Sequence, residues 1–390
     1  MKNSLLSIVV PTKNRTKYLK SFIELICSFQ NDDIELVIQD NSDSNAEILE
    51  FLSAPQYSGV VYHYDPTPMP VIQNSELAIC HSSGKYVCFM GDDDLLSGRL
   101  YDFVKYMDQY GYESAVFQRA NYSWPGVTYK SHKFPNLRIP QFRGALEEVN
   151  VAEAYGKMLA MGAVSLEKLP QLYHGVVLRE RLDEVFQRAG TYFPGPSPDM
   201  AISAALTQVV KKHLYCDVPY ITSGASPKSA AGLGAKHMHK GNLKDMAFLP
   251  KDTEMVWESA IPKIWTGPTI YAESALKALR AMGAEEALQK FNYTYFYAHF
   301  YVFCREYQEM LDALKTKKNR FSAVKYWGYV AAIFLDRCRR FLLNRLISKY
   351  HINGTYRDGV ETSVLAEKYI DEEIAGIDIG KMFTAIQGQA

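Results

Sequence analysis

Four short apolar runs divide the first hundred residues: LLSIVV (5–10), IELVI (34–38), VVYHY (60–64) and YVCFM (86–90). Between them lie stretches of helical period, clearest from Lys17, where Leu19, Phe22, Ile23, Ile26 and Phe29 recur three and four residues apart. Strand alternating with helix predicts a mostly parallel sheet with right-handed crossovers and helices on both faces, an α/β architecture of Rossmann type. The first run is continuous and stops at Pro11, as a strand buried on both faces does. The last ends in three carboxylates, Asp92, Asp93 and Asp94. A buried strand carries that charge at its end only where a cation or a set of hydrogen-bond donors compensates it. Strand carboxyl ends are also where open α/β sheets bind ligands, which points to a hard divalent ion such as Mg²⁺, shared with substrate phosphates. The structural alternative is a helix N-terminus before Leu95–Tyr101, although one or two acids would serve there.

The rest of the chain is read more coarsely. A helix from Leu95 to about Gln109 and a strand at Ala115–Arg119 continue the sheet, and 124–143 reads as an irregular excursion over its edge. Helices are expected at 151–159, 179–187 and 200–210, and a last strand at 213–218. The Gly-, Ser- and Lys-rich segment 224–241 suits a mobile loop, and from about 251 the pattern reads as almost wholly helical. The expected partition is therefore 1–245 for the sheet domain and 246–390 for a helical C-terminal region.

Composition narrows the partners. Lysine plus arginine equal aspartate plus glutamate at 43 each, so no global positive field exists to hold nucleic acid. The six cysteines are scattered without metal-like spacing, and the first apolar run is too short for a membrane span. A reduced, cytoplasmic, non-secreted chain is the expectation. Between Lys315 and Lys349 stand ten basic residues against one acid, Asp336. Val324, Trp327, Ala331, Phe334, Leu335, Cys338 and Leu342 share a helical face there. Such a helix either lies on an anionic membrane, at the inner face of the plasma membrane, or packs on the sheet domain.

Three separate blocks, IVVPTKNR, LVIQDNS and SSGKYVCFMGDDDLL, resemble the nucleotide-binding half of family 2 glycosyltransferases, which have the GT-A fold. The resemblance covers about 5–105 well, extends more thinly to about 225, and leaves the C-terminal third unexplained. It implies that Pro11, Thr12, Asn14 and Arg15, with Asp40, hold the base and ribose of a sugar nucleotide. It further implies that Asp92 and Asp93 contact the donor and that Asp93 and Asp94 hold Mg²⁺ or Mn²⁺ on its diphosphate, with a one-residue shift allowed by the family pattern. Asp199, after the rigid PGPSP turn, matches the family's helix-start base, although Pro198 replaces the usual glutamate; otherwise it reads as the N-cap of the helix that follows.

The implied activity is metal-dependent, inverting glycosyl transfer from a nucleotide-sugar donor to a glycan or lipid-linked acceptor, as in bacterial surface-polysaccharide assembly. His237 and His239 are candidates for a lid over the diphosphate, beside the plainer reading of an exposed basic loop. His174 reads as a satisfied, half-buried histidine rather than part of the acceptor side. A sugar-phosphate nucleotidyltransferase is the competing enzyme, and PTKNR lacks the glycine-rich phosphate loop it would need. A catalytically inactive nucleotide-sugar-binding or membrane-associated protein is the competitor from another class.

Overall fold

The computed structural model describes residues 4–127, 135–229, 232, 240–246, 248–315, 321–350 and 352–388. Its first half alternates as the apolar runs require. The order is β1 (Leu6–Thr12), α1 (Thr16–Ser28), β2 (Ile34–Asp40), α2 (Ala46–Leu52), β3 (Val61–Tyr64), α3 (Val71–Cys80) and β4 (Tyr86–Phe89). β1 pairs in parallel with β2 on one side and β4 on the other, and β3 adds in parallel to β2. Pro11, Asp40 and the acidic run thus emerge at one edge of the sheet.

The second half departs from a mostly parallel sheet. It contains β5 (Leu95–Leu96), α4 (Arg99–Tyr110), β6 (Ser114–Ser123), β7 (Asn136–Pro140), β8 (Leu146–Val149), α5 (Val151–Ala160), β9 (Gly175–Leu178), α6 (Arg179–Ala189), α7 (Pro198–Leu206) and β10 (His213–Ala225). β9 inserts between β4 and β6, antiparallel to both. The expected helix at Leu95 is instead two strand residues, because Leu95 and Leu96 pair with Ile221 and Thr222 of β10. α4 therefore starts five residues after Asp94, and the acids do not cap it.

The chain continues through α8 (Gly267–Ala281), α9 (Glu285–Lys290), α10 (Tyr293–Phe303), α11 (Gln308–Lys315), α12 (Ala323–Tyr350), β11 (Gly354–Asp358), α13 (Ser363–Ile374) and α14 (Ile379–Gln387). Strand periodicity sorts the sheet's side chains into two cores. Val9, Val37, Val87 and Val177 point into one, which α7, α8 and α10 cover; Ile8, Val10, Ile38 and Cys88 point into the other, beneath α1, α4, α13 and α14. Residues after 245 supply helices to both cores. Their regular elements are almost wholly helical, as expected, with one short strand, β11, which pairs antiparallel with β7 and ends the sheet. Each fully buried Leu, Ile or Phe in these layers contributes roughly 1.5–3 kcal/mol of transfer free energy, which is why the chain returns to cover both faces.

Candidate active site

The acidic turn between β4 and β5 is buried, and its three carboxylates are held differently. Asp94 is saturated. Its Oδ2 accepts from the Gly91 amide at 2.7 Å, the Tyr173 hydroxyl at 3.0 Å and His174 Nε2 at 2.7 Å, while Oδ1 accepts from the Gly224 amide at 2.7 Å. Asp92 lies behind the cavity wall, accepting from Thr12 Oγ1 at 2.5 Å and paired through Oδ1 with Arg15 Nη2 at 2.8 Å. Asp93 Oδ2 meets the same Arg15 nitrogen at 2.7 Å and the Ser226 amide at 2.9 Å. Asp93 is the one acid of the three that lines the cavity.

Burial dominates the ionisation of the cluster. It pushes Asp92 up to about 7 against the opposing pull of Arg15, and it raises Asp93 with help from neighbouring Asp94. Asp94 ends below the ordinary carboxylate range, because His174 and the amides of Gly224 and Gly91 outweigh its burial. The compensating cation in this arrangement is Arg15, whose guanidinium also reaches Ser226 Oγ at 2.8 Å.

β10 supplies the back wall at very close range. A Cβ on Gly224 would lie 1.7 Å from the Asp93 carbonyl oxygen, so only glycine brings this strand near enough to bond Asp94. His174 sits just before β9 with φ of 59°, a conformation that turns its ring toward Asp94. Its Nδ1 lies 3.0 Å from Arg119 Nη1. Arginine only donates, so Nδ1 accepts and the imidazole proton is placed on Nε2, facing Asp94.

A cavity of about 370 Å³ opens in front of this cluster, walled by Arg15, Asp93, Arg119, His174, Asp199 and Tyr271 among others. Asp199 is in the first turn of α7, where the helix dipole favours a negative charge, and Ser197 rather than Asp199 is the N-cap. Burial raises its pKa above the usual aspartate value, and His174 and Arg119 oppose that rise.

The expected nucleotide-side residues divide into two groups. Arg15 and Asp93 reach the cavity, with Thr12 and Asp92 directly behind them. Asn14, Asp40 and half-buried Pro11 lie along the edges of β1 and β2. Asn14, at φ of 56°, exchanges hydrogen bonds with Asp43 and donates its amide to Ser42 Oγ at 2.7 Å. Asp40 is buried, with its oxygens taken by the Ser42 amide and the Tyr62 hydroxyl, each at 2.8 Å. A second cavity of about 490 Å³ lies beside this edge, between Lys13, Pro68–Pro70 and residues 243–254. His237 and His239 lie outside the described residues.

Among the described residues, no group of three or more His, Cys, Asp or Glu side chains is arranged to hold a metal ion unaided. Of the three acids, Asp93 is the one placed to meet a divalent ion from the cavity, and ligand oxygens would be needed to complete its shell. Asp94, expected beside Asp93 in that role, has both oxygens engaged by protein donors. Arg119, Tyr173 and Tyr271 escaped the sequence reading. Arg119 carried a usable signal, a charge two residues after the apolar run AVF of a strand; Tyr173 and His174 could not be placed without β9.

Residues 7–169 match the family model described as Glycosyl transferase family 2. This part of the chain is a family 2 glycosyltransferase domain. The activity class of the enzyme is accordingly glycosyl transfer, as its sequence motifs implied. No curated protein matches the chain at a significant level. Among solved structures, the glycosyltransferase is similar to S. aureus TarS 1-349 in complex with UDP, at 16% identity over 86% of this chain and 91% of that one, with a TM-score of 0.44. It is similar to the same protein in complex with UDP-GlcNAc at 12% identity, covering 79% and 89%, with a TM-score of 0.46. The mannosyltransferase PcManGT from Pyrobaculum calidifontis, in complex with GDP-Man and Mn2+, shows 13% identity, coverage of 86% and 88%, and a TM-score of 0.38.

Proposed function

We propose that the enzyme moves a sugar from a nucleoside diphosphate donor to a hydroxyl of a glycan or lipid-linked acceptor, with inversion at the anomeric carbon. The observation that carries this reading is the placement of Asp93 and Asp199 on the walls of one cavity. A cationic side chain accompanies each, Arg15 beside Asp93 and Arg119 near Asp199. Two carboxylates from separate elements suit a displacement with a leaving group on one side of the sugar and a nucleophile on the other.

In this reading Arg15 and Asp93 face the diphosphate, and the nucleoside extends along Thr12, Asn14 and Asp40 toward the second cavity. The acceptor oxygen attacks the anomeric carbon, the bond from that carbon to the diphosphate oxygen breaks, and the acceptor's proton passes to Asp199. A base with a raised pKa accepts that proton more readily near neutral pH than an exposed aspartate would. A divalent cation, Mg²⁺ or Mn²⁺, held by Asp93 and the donor's own oxygens, would stabilise charge developing on the departing diphosphate. Arg119 holds His174 in the tautomer that donates to Asp94, and this fixes the back of the acidic turn. A cytoplasmic setting in polysaccharide assembly accompanies this reading.

Calorimetry with UDP-, GDP-, CDP- and dTDP-sugars, each with and without Mg²⁺ or Mn²⁺, tests the donor class. Binding of at least one nucleotide sugar is expected, and binding of none would overturn the proposal. Asp199→Asn should retain donor affinity and lose about 100- to 10,000-fold in transfer rate, the range of general-base catalysis. Undiminished transfer by that variant would remove Asp199 as the base.

A further inference from the structure

Helix α12 is 28 residues long and has two apolar faces. One is used: Tyr326 and Ile333 are buried, and Arg337 donates to the Val302 carbonyl at 2.6 Å and stacks over Phe303 of α10. The other is presented to solvent. Val324, Trp327, Phe334, Leu335, Phe341 and Leu342 recur at helical spacing on the side away from Tyr326 and Ile333, and each is more than half exposed. The face runs about 33 Å from Val324 to Leu346. The packing alternative for this helix thus accounts for its other face, and among the described residues nothing covers this one.

Monomeric proteins rarely leave so long an apolar stripe in water. A helix exposed on nearly all sides through its C-terminal half also lacks the packing that usually stabilises one. Among the described residues no helix is long and apolar enough to cross a membrane. The charge distribution selects between the remaining occupants. α12 contains Lys325, Arg337, Arg339, Arg340, Arg345 and Lys349 against Asp336 alone. Arg339, which also pairs with Asp336, and Arg345 are exposed; helical geometry places Arg339 at the edge of the stripe and Arg345 on it near its C-terminal end, where long basic side chains can extend to lipid headgroups. A second copy of the helix would bring like charge against like charge.

We infer that the outward face of α12 docks the enzyme in the plane of an anionic lipid bilayer. The apolar stripe enters the boundary between headgroups and acyl chains, and the flanking basic residues meet the anionic headgroups. This rests on the helix surface alone and is independent of the chemistry proposed for the cavity. It also gives a lipid-linked acceptor a surface on which to meet the enzyme.

Trp327 makes the test direct, because Trp124, Trp257 and Trp265 are buried and Trp327 is 58% exposed. The full-length protein should sediment with vesicles of phosphatidylglycerol and phosphatidylcholine and shift its tryptophan emission to the blue. Trp327→Phe should bind without the shift. Pure phosphatidylcholine vesicles should bind far more weakly, and added salt should weaken binding to the mixed vesicles. Arg339→Gln with Arg345→Gln should reduce affinity about thirtyfold. Trp327→Ser, Leu335→Ser and Leu342→Ser together should abolish it, with nucleotide-sugar binding retained as the control for folding. Absence of binding to the mixed vesicles, or equal binding to both compositions, overturns the inference. So does a parent dimer that the triple substitution converts to a monomer, since a second copy would then cover the face.

Discussion

Asp92, Asp93 and Asp94 are adjacent in sequence but differ in how many protein donors hold them. Asp94, with four, acts as a fastener between the acidic turn, β10 and His174. Asp94→Ala should therefore destabilise the fold by about 3 kcal/mol or more, because it orphans buried donors, as thermal unfolding would show. Its lowered pKa sets the sign of the pH dependence: the contribution is complete above the unfolded value near 3.9 and is lost as pH falls through the lower folded value. Asp199 behaves in the opposite way, since burial raises it and Arg119 restrains the rise. A base must be ionised, so transfer should fall as pH drops through the Asp199 value, and Arg119→Ala should move that acid limb to higher pH. A pH profile of kcat/KM checks this, and an unmoved limb would separate Arg119 from Asp199. The acids were visible in the sequence as charge at the end of an apolar run. Their division of labour was not, because it depends on Gly224 and Ser226, more than 120 positions later.

At the scale of elements, β10 decides the geometry of the site. It runs beside β6, pairs with β5 just after the acidic turn, and delivers the amides of Gly224 and Ser226 to Asp94 and Asp93. Gly224→Ala should cost about 3 kcal/mol and weaken donor binding as well, since its Cβ would collide with backbone rather than with a flexible side chain. Loss of stability with unaltered donor affinity would show that the turn relaxes without disturbing the cavity. β1 to β4 and their helices were legible because long apolar runs and helical periods agree over them. β9 was not, since Gly175–Leu178 is only four residues long and runs directly into α6. The strand at Leu95 was equally hidden, because its partner lies in β10 and local pattern cannot name a partner.

For the whole molecule, the C-terminal residues belong to the same packed body as the sheet. Arg99 of α4 donates to the carbonyls of Ile374 and Ile377, Tyr122 donates to the Val360 carbonyl at 3.0 Å, and Phe383 packs among Phe103, Tyr106 and Tyr110. Removing residues 352–388 should lower the thermal midpoint and expose one face of the sheet to hydrophobic dyes. A truncated chain with the parent's midpoint would mean that this tail is dispensable for folding. The change of periodicity near 245 marks where strands give way to helices and says nothing about which core those helices enter. Sequence by itself determined the parallel core of the sheet, the edge where its strands end, and the collection of acids and Arg15 at that edge, because each follows from local apolar pattern and from chemistry at a strand's end. Tertiary structure alone decided which acid is open to a ligand, which histidine and arginine stand behind it, and where the last hundred residues pack. Those outcomes depend on contacts between segments far apart in the chain, whose geometry no local pattern encodes.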